Sequence, residues 1–192
     1  MLQSRNSPKS LELYSQELAE LYHSKKFAVL LCGPTLGDLN TLGKPGESLR
    51  KKLKDALEEK GFDVILGEDD GLEEPRLQYG MDAQENEMSF VKKHCNAIVL
   101  IASSIGAYCE LGLFSYYKIH STDKLDFILI ISDEHEGKKS YLNLGPATAV
   151  EHWGKVYYED LEKFEVSSVV KRLEQRRAVL WMDDKGRPKR KK

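Results

Sequence analysis

NAIVLIASSIGAYCELGLFSYYK, residues 96–118, decides the fold. Its first part is a continuous apolar run rich in β-branched residues, too short for a buried helix and unbroken by polar alternation, which marks a strand covered on both faces. SSIG interrupts it, and AYCELGLFSYYK then resumes helical spacing. Working outward, FAVLLC at 27–32 and DFILII at 126–131 repeat the same kind of strand, and residues 62–66 and KVYY at 155–158 supply two more. Helical patterns separate them. Leu49, Leu53, Ala56 and Leu57 mark one face of a helix ending at Gly61, a second helix spans 82–94, and a last one is expected over 161–179. Apolar strands alternating with amphipathic helices predict a doubly wound α/β domain, with a mainly parallel, Rossmann-like or flavodoxin-like five-stranded sheet in the order 2-1-3-4-5.

That order brings the carboxyl ends of strands one and three together at the point where the winding reverses, which is where open sheets bind ligands. The loops leaving those ends are GPTLGD and SSIGAYCE, so Gly33, Pro34, Thr35, Ser103, Ser104, Gly106 and Tyr108 are the candidate substrate-binding residues. Small residues there permit close backbone approach, and helix-start amides favour an anionic or oxygen-rich ligand. A tight strand-to-helix turn explains each glycine taken alone. Neither G-x-G-x-x-G nor a P-loop is present, so ordinary dinucleotide redox binding and ATP hydrolysis are unsupported.

The chain has 192 residues, 41% hydrophobic and 31% charged, in the range of one domain with a real core. No linker or repeat divides it. The expected organisation is an N-terminal helix over 1–24, with Ser7 as cap and Pro8 in the first turn, an α/β domain over 25–180, and a basic tail over 181–192. No apolar run approaches the roughly 20 residues that cross a bilayer. Three cysteines cannot all pair within one chain, and no apolar signal core opens the sequence, so free thiols and a cytoplasmic setting are expected. The 29 Lys and Arg against 31 Asp and Glu conceal an asymmetry, because six basic residues lie in 185–192. The remaining body, near −8, repels phosphate polymers, leaving nucleic acid to the tail alone, where a solvated terminus is the simpler account.

Glu110 is the most informative single residue. It stands early in the helix after the third strand, where a carboxylate can face the crevice. A dipole partner of the helix amino terminus is the bland alternative. Glu68, Asp69 and Asp70 form an acidic loop that reads as solvated surface, and no metal site is assigned. YLNLGPAT at 141–148 reads as a crevice loop or an ordinary turn, and Tyr116 and Tyr117 read as packing residues.

With LLCGPT, Glu110-Leu111-Gly112 and the intervening ENEMSFVKKHCNAIVLIA together, the chain resembles the nucleoside deoxyribosyltransferase-like superfamily. Its members pair an opening strand and Gly-Pro-like turn with a later Asp-x-Gly-Thr loop and Glu-x-Gly. The similarity is good over 27–114 and loose over 127–177. The string Tyr108-Cys109-Glu110-Leu111 is also similar to Toll/interleukin-receptor-like domains that cleave NAD.

Both resemblances imply cleavage of an N-glycosidic bond, by hydrolysis or transfer, with Glu110 as the carboxylate that steadies positive charge on the sugar or forms a glycosyl ester. They also imply a nucleotide or nucleoside as partner, homo-oligomers such as a homodimer, and roles in nucleotide signalling and antiviral defence. Ser104 and Ala107 replace the family's Asp and Thr, which sets NAD above free deoxynucleosides, because nicotinamide leaves without needing a proton. NAD enters as substrate, and no cofactor is implied. The alternative is a catalytically inactive nucleotide-sensing or protein-interaction domain.

Overall fold

The computed structural model describes residues 13, 16, 26–36, 44–68, 77–80 and 82–186, with side chains to residue 180. The opening helix expected over 1–24 lies outside the described residues except for Leu13 and Gln16, both helical, and the tail's side chains lie outside them altogether.

Five strands, β1 (Ala28–Cys32), β2 (Asp63–Leu66), β3 (Ala97–Ala102), β4 (Asp126–Ile131) and β5 (Lys155–Tyr158), form one parallel sheet in the order β2-β1-β3-β4-β5. This is the predicted doubly wound arrangement. β1, β3 and β4 are buried along their whole length, as expected of strands covered on both faces.

Alternation then divides the core. Val29, Leu31, Val99, Ile101, Ile128 and Ile130 point to one face, where α1 (Pro45–Glu59) lays down Leu49, Leu53 and Leu57 and α5 (Ser167–Gly186) lays down Val169, Val170 and Leu173. Leu30, Ile98, Leu100, Phe127 and Leu129 point to the other. There α2 (Ala83–His94), α3 (Ile105–His120) and α4 (Thr148–Trp153) cover them with Val91, Leu111, Phe114 and Val150.

Two clamps fix the outer elements. Arg172 grips the buried Asp126 carboxylate at 2.8 and 2.7 Å, with Arg176 at 3.4 Å, tying α5 to the start of β4. Arg177 donates to the Lys60 carbonyl at 3.0 Å and stacks over the Phe62 ring.

The last helix starts at Ser167, six residues later than its apolar spacing predicts. Asp160 diverts the chain first: its carboxylate accepts from the Glu162 amide at 2.9 Å, an Asx-type turn that leaves Leu161 and Phe164 packed on the core without a helix. Residues 143–148 are neither crevice loop nor ordinary turn. Asn143–Ala147 is one π-helical turn running into α4. Tyr116 is 68% exposed, contrary to the packing role its spacing suggests, whereas Tyr117 is partly buried and bonds Asp123. Among the described residues no helix is long and apolar enough to cross a membrane.

Candidate active site

β1 is followed at once by Gly33, whose φ of +151° is open to glycine and strained for other residues. A Cβ there would also lie 3.2 Å from that of Ile101, so the turn depends on bringing backbone against β3. Beside it, β3 is followed by Ser103 and Ser104. The Ser104 hydroxyl accepts from the Ala107 amide at 3.2 Å and caps α3, which explains why the strand turns directly into a helix.

α1 closes the third side, starting at Pro45 as a proline-led helix should. Gly46 presses so closely on the two loops that an added Cβ would stand 2.1 Å from Ser103 Oγ and 3.0 Å from Pro34 Cγ. Gly-to-Ala inside a helix ordinarily gains about 1 kcal/mol. Here Gly46→Ala is expected to lose about 1–3 kcal/mol by overpacking, measured as a lowered midpoint in urea.

These elements enclose a cleft of about 840 Å³ at the carboxyl end of the sheet. All eight residues singled out in the sequence line it: Gly33, Pro34 and Thr35 on one lip, Ser103, Ser104, Gly106 and Tyr108 on the other, and Glu110 between α3 and the floor. Arg50, Glu68, Glu87 and Glu134 join them from other elements.

Arg50 is almost wholly buried and spends every N–H it has. Nε and Nη2 donate to the Leu31 carbonyl at 3.2 and 2.7 Å, Nη1 to that of Pro34 at 3.0 Å, and the two Nη atoms grip Glu68 at 2.6 and 2.8 Å. Glu68 is therefore no solvated loop acid. It is the counterion of a buried clamp that holds the end of β1. Burial pushes its pKa up, but the Arg50 hydrogen bonds and charge outweigh that and leave it lowered.

Glu110 has the opposite surroundings. Burial first, then the negative charges of Glu87 and Glu68, outweigh Arg50 and push its pKa up to about 7. Its Oε2 is buried without a hydrogen-bond partner. The helix amino terminus does little to offset this. Glu110 stands in the second turn of α3, beyond the first turn where the dipole acts strongly.

Glu87, on α2, is raised as well, by burial and then by Glu68. Its carboxylate lies over Gly67, at 3.1 Å from where a Cβ would be. A second carboxyl group of raised pKa thus lines the cleft together with Glu110.

Tyr108 meets His135 through its hydroxyl, 3.2 Å from Nε2, so the loop after β4 is tied to α3 at the cleft rim. Asn143 does not line the cleft. It supports that loop from behind, its amide donating to the His135 and Lys138 carbonyls. The Cys32 thiol is held neutral, its pKa raised by burial and then by Glu110, which removes it as a nucleophile. Among the described residues no group of His, Cys, Asp or Glu is placed to hold a metal ion.

The cleft can therefore do two things chemically. It offers a carboxylate that changes charge near neutral pH, and it surrounds that group with more acidic than basic side chains, Lys44 and Arg50 standing against Glu47, Glu68, Glu87 and Glu134. Such a field favours cationic character in whatever reacts there.

The protein family described as STM3845 retron effector protein matches residues 46–190, from α1 through α5. The match takes in Arg50, Glu68, Glu87 and Glu110 and leaves β1 and its Gly33 turn outside. No curated protein matches the chain.

Proposed function

The chain belongs to the STM3845 retron effector family, and on that premise we propose that it is an effector enzyme that cleaves the N-glycosidic bond of NAD or of a nucleotide or nucleoside, with Glu110 as the catalytic carboxylate. The observation that carries this reading is the Glu110 side chain itself, lining the cleft at the sheet's reversal point with one oxygen buried and unpartnered. A carboxylate so held has no protein cation to neutralise it directly, and a sugar that becomes oxocarbenium-like supplies one.

In the proposed reaction the C1′–N bond breaks and its electron pair leaves with the base, while the ionised Glu110 stabilises C1′ or bonds to it. Water or another acceptor then takes the sugar. Nicotinamide departs as a neutral molecule. A purine or pyrimidine needs a proton, and Glu87, held towards its neutral form in the same cleft, is the group suited to give it. Gly33, Pro34, Thr35, Ser103, Ser104, Gly106 and Tyr108 shape the pocket for base and sugar.

The test is base release, followed by chromatography and mass spectrometry, from NAD and from a panel of nucleosides and nucleotides, using wild-type protein and Glu110→Gln. The reading requires product from the wild type, loss of it in the variant, and retained ligand binding in both. Binding without turnover in the wild type, over the whole panel, would overturn it in favour of a nucleotide sensor.

A further inference from the structure

α3 is apolar on more sides than the sheet can cover. Between Ile105 and His120 its only fully charged residues are Glu110, which lines the cleft, and Lys118, which is buried against Asp123. One face nevertheless looks outward. Ile105, Cys109, Gly112, Tyr116 and Ile119 follow one another at three- and four-residue steps, so they form a single stripe along the helix.

Beside the stripe's second half, Tyr141 and Leu144 rise from the segment before α4, and with Tyr116 and Ile119 they wall a groove of about 400 Å³. Ile105 is 86% exposed, Tyr116 68%, Ile119 47%, Tyr141 86% and Leu144 71%. At roughly 200 Å² per large side chain, these five present on the order of 700 Å² of apolar-rich surface to solvent. That exceeds the largest patch of an ordinary monomer, about 300–600 Å², and approaches the roughly 800 Å² that each partner gives to a stable interface.

The shape of the stripe points to its occupant. A protruding isoleucine stands at one end of α3, a groove lies at the other, and between them Cys109, Gly112 and Ser115 leave a low saddle; a Cβ on Gly112 would meet nothing within 4 Å. Knob and groove on one helix, related through a flat middle, are self-complementary under a two-fold axis, because each copy then offers what the other lacks. Among the described residues no Asp, Glu, Lys or Arg lines the groove, so a strongly charged partner finds little counter-charge there. We propose that this face of α3 is the two-fold interface between two copies of the chain, with the helices crossing antiparallel near Gly112 and Ile105 of each copy seated in the groove beside Ile119 and Leu144 of the other.

The experiment is sedimentation equilibrium on the full chain between 1 and 100 µM, with a site-directed cross-link to locate the contact. The wild type should have twice the monomer mass of 21.9 kDa. Tyr116→Glu and Leu144→Arg, both at exposed positions, should each weaken association at least tenfold while circular dichroism stays unchanged. In a Cys109→Ser background, Gly112→Cys should form a disulfide-linked dimer on mild oxidation, since two cysteines at the axis come within bonding reach. A chain that stays monomeric at 100 µM overturns the proposal and leaves the face to a different protein. So does a dimer that survives both variants and gives no Gly112→Cys cross-link, which places the copies against each other elsewhere. None of these readouts depends on the reaction assigned to the cleft.

Discussion

Glu110→Gln is expected to release base at least about a thousandfold more slowly than the wild type, yet to gain several degrees of Tm on it as pH rises from 4.5 to 8. The loss of rate follows from the proposed role. An amide cannot bond to C1′ or balance its positive charge, and removing a group used only in the transition state lowers kcat with little effect on binding.

The gain in stability follows from burial. Glu110 carries a pKa near 7 when folded against an ordinary value of 4.5, so the folded state holds the proton more tightly than the unfolded one. Below pH 4.5 both states are protonated and the group costs nothing. As pH rises from 4.5 to 7 the unfolded chain ionises first, and above 7 the folded protein bears the whole cost, on the order of 1–3 kcal/mol. Glutamine never ionises and escapes it. In a domain of this size each kcal/mol moves Tm by about 2–4 °C. Thermal melts of both proteins across pH 4–8 check this, the difference between the two curves being the readout. Parallel curves would remove the buried charge from the account. The same ionisation makes wild-type base release rise with pH through about 7, because the nucleophile must lose its proton first.

Arg50→Met carries the largest expected cost to folding, about 3–5 kcal/mol. The substitution keeps the apolar stem and deletes five hydrogen bonds at once, taking the guanidinium away from the Leu31 and Pro34 carbonyls and leaving the Glu68 carboxylate with the long Leu36 amide contact in place of a cation. Arg50→Lys should recover only a minor part, since an ammonium cannot reproduce a planar fork between two carbonyls and a carboxylate. Urea unfolding measures both. The double variant Arg50→Met/Glu68→Gln should lose at least about 1 kcal/mol less than the sum of the single losses, because the two side chains act as one unit. Strict additivity would mean that Glu68 is merely a neighbour. Glu68 has a lowered pKa when folded, so its contribution is present above the ordinary carboxylate range and fades as pH falls through the lowered value. Arg50→Met should abolish that acid-side loss.

The sheet is legible in the sequence because its three inner strands are continuous apolar runs, and their order follows from winding rules that need only the alternation with helices. The lips of the cleft are legible for the same reason, since they are whatever follows β1 and β3. The floor is not. Arg50 and Glu87 sit on helices whose exposed faces are also charged, and a linear reading assigns both to solvent.

Arg50 did leave a signal: it lies on the strip defined by Gly46, Leu49, Leu53 and Leu57, where a cation has no business unless something pairs with it. Glu87 stands four residues before the buried Val91 and on the same face. Glu68 was hidden by its acidic neighbours, although only Gly67 separates it from β2. The charge state of Glu110 could not be read either, because it depends on Glu87 and Glu68, brought beside it by the fold from 23 and 42 residues away.

The strand order also governs what emerges from the ribosome. β1 is paired on one side by β2, which follows it closely, and on the other by β3, which is made much later. Until residues 97–120 have left the exit tunnel, a nascent chain holds Arg50 and Glu68 but no far wall for the cleft and no Glu110. Translation products ending before α3 therefore lack the far wall of the cleft and Glu110 alike, and the cleft described above is completed only in the second half of synthesis.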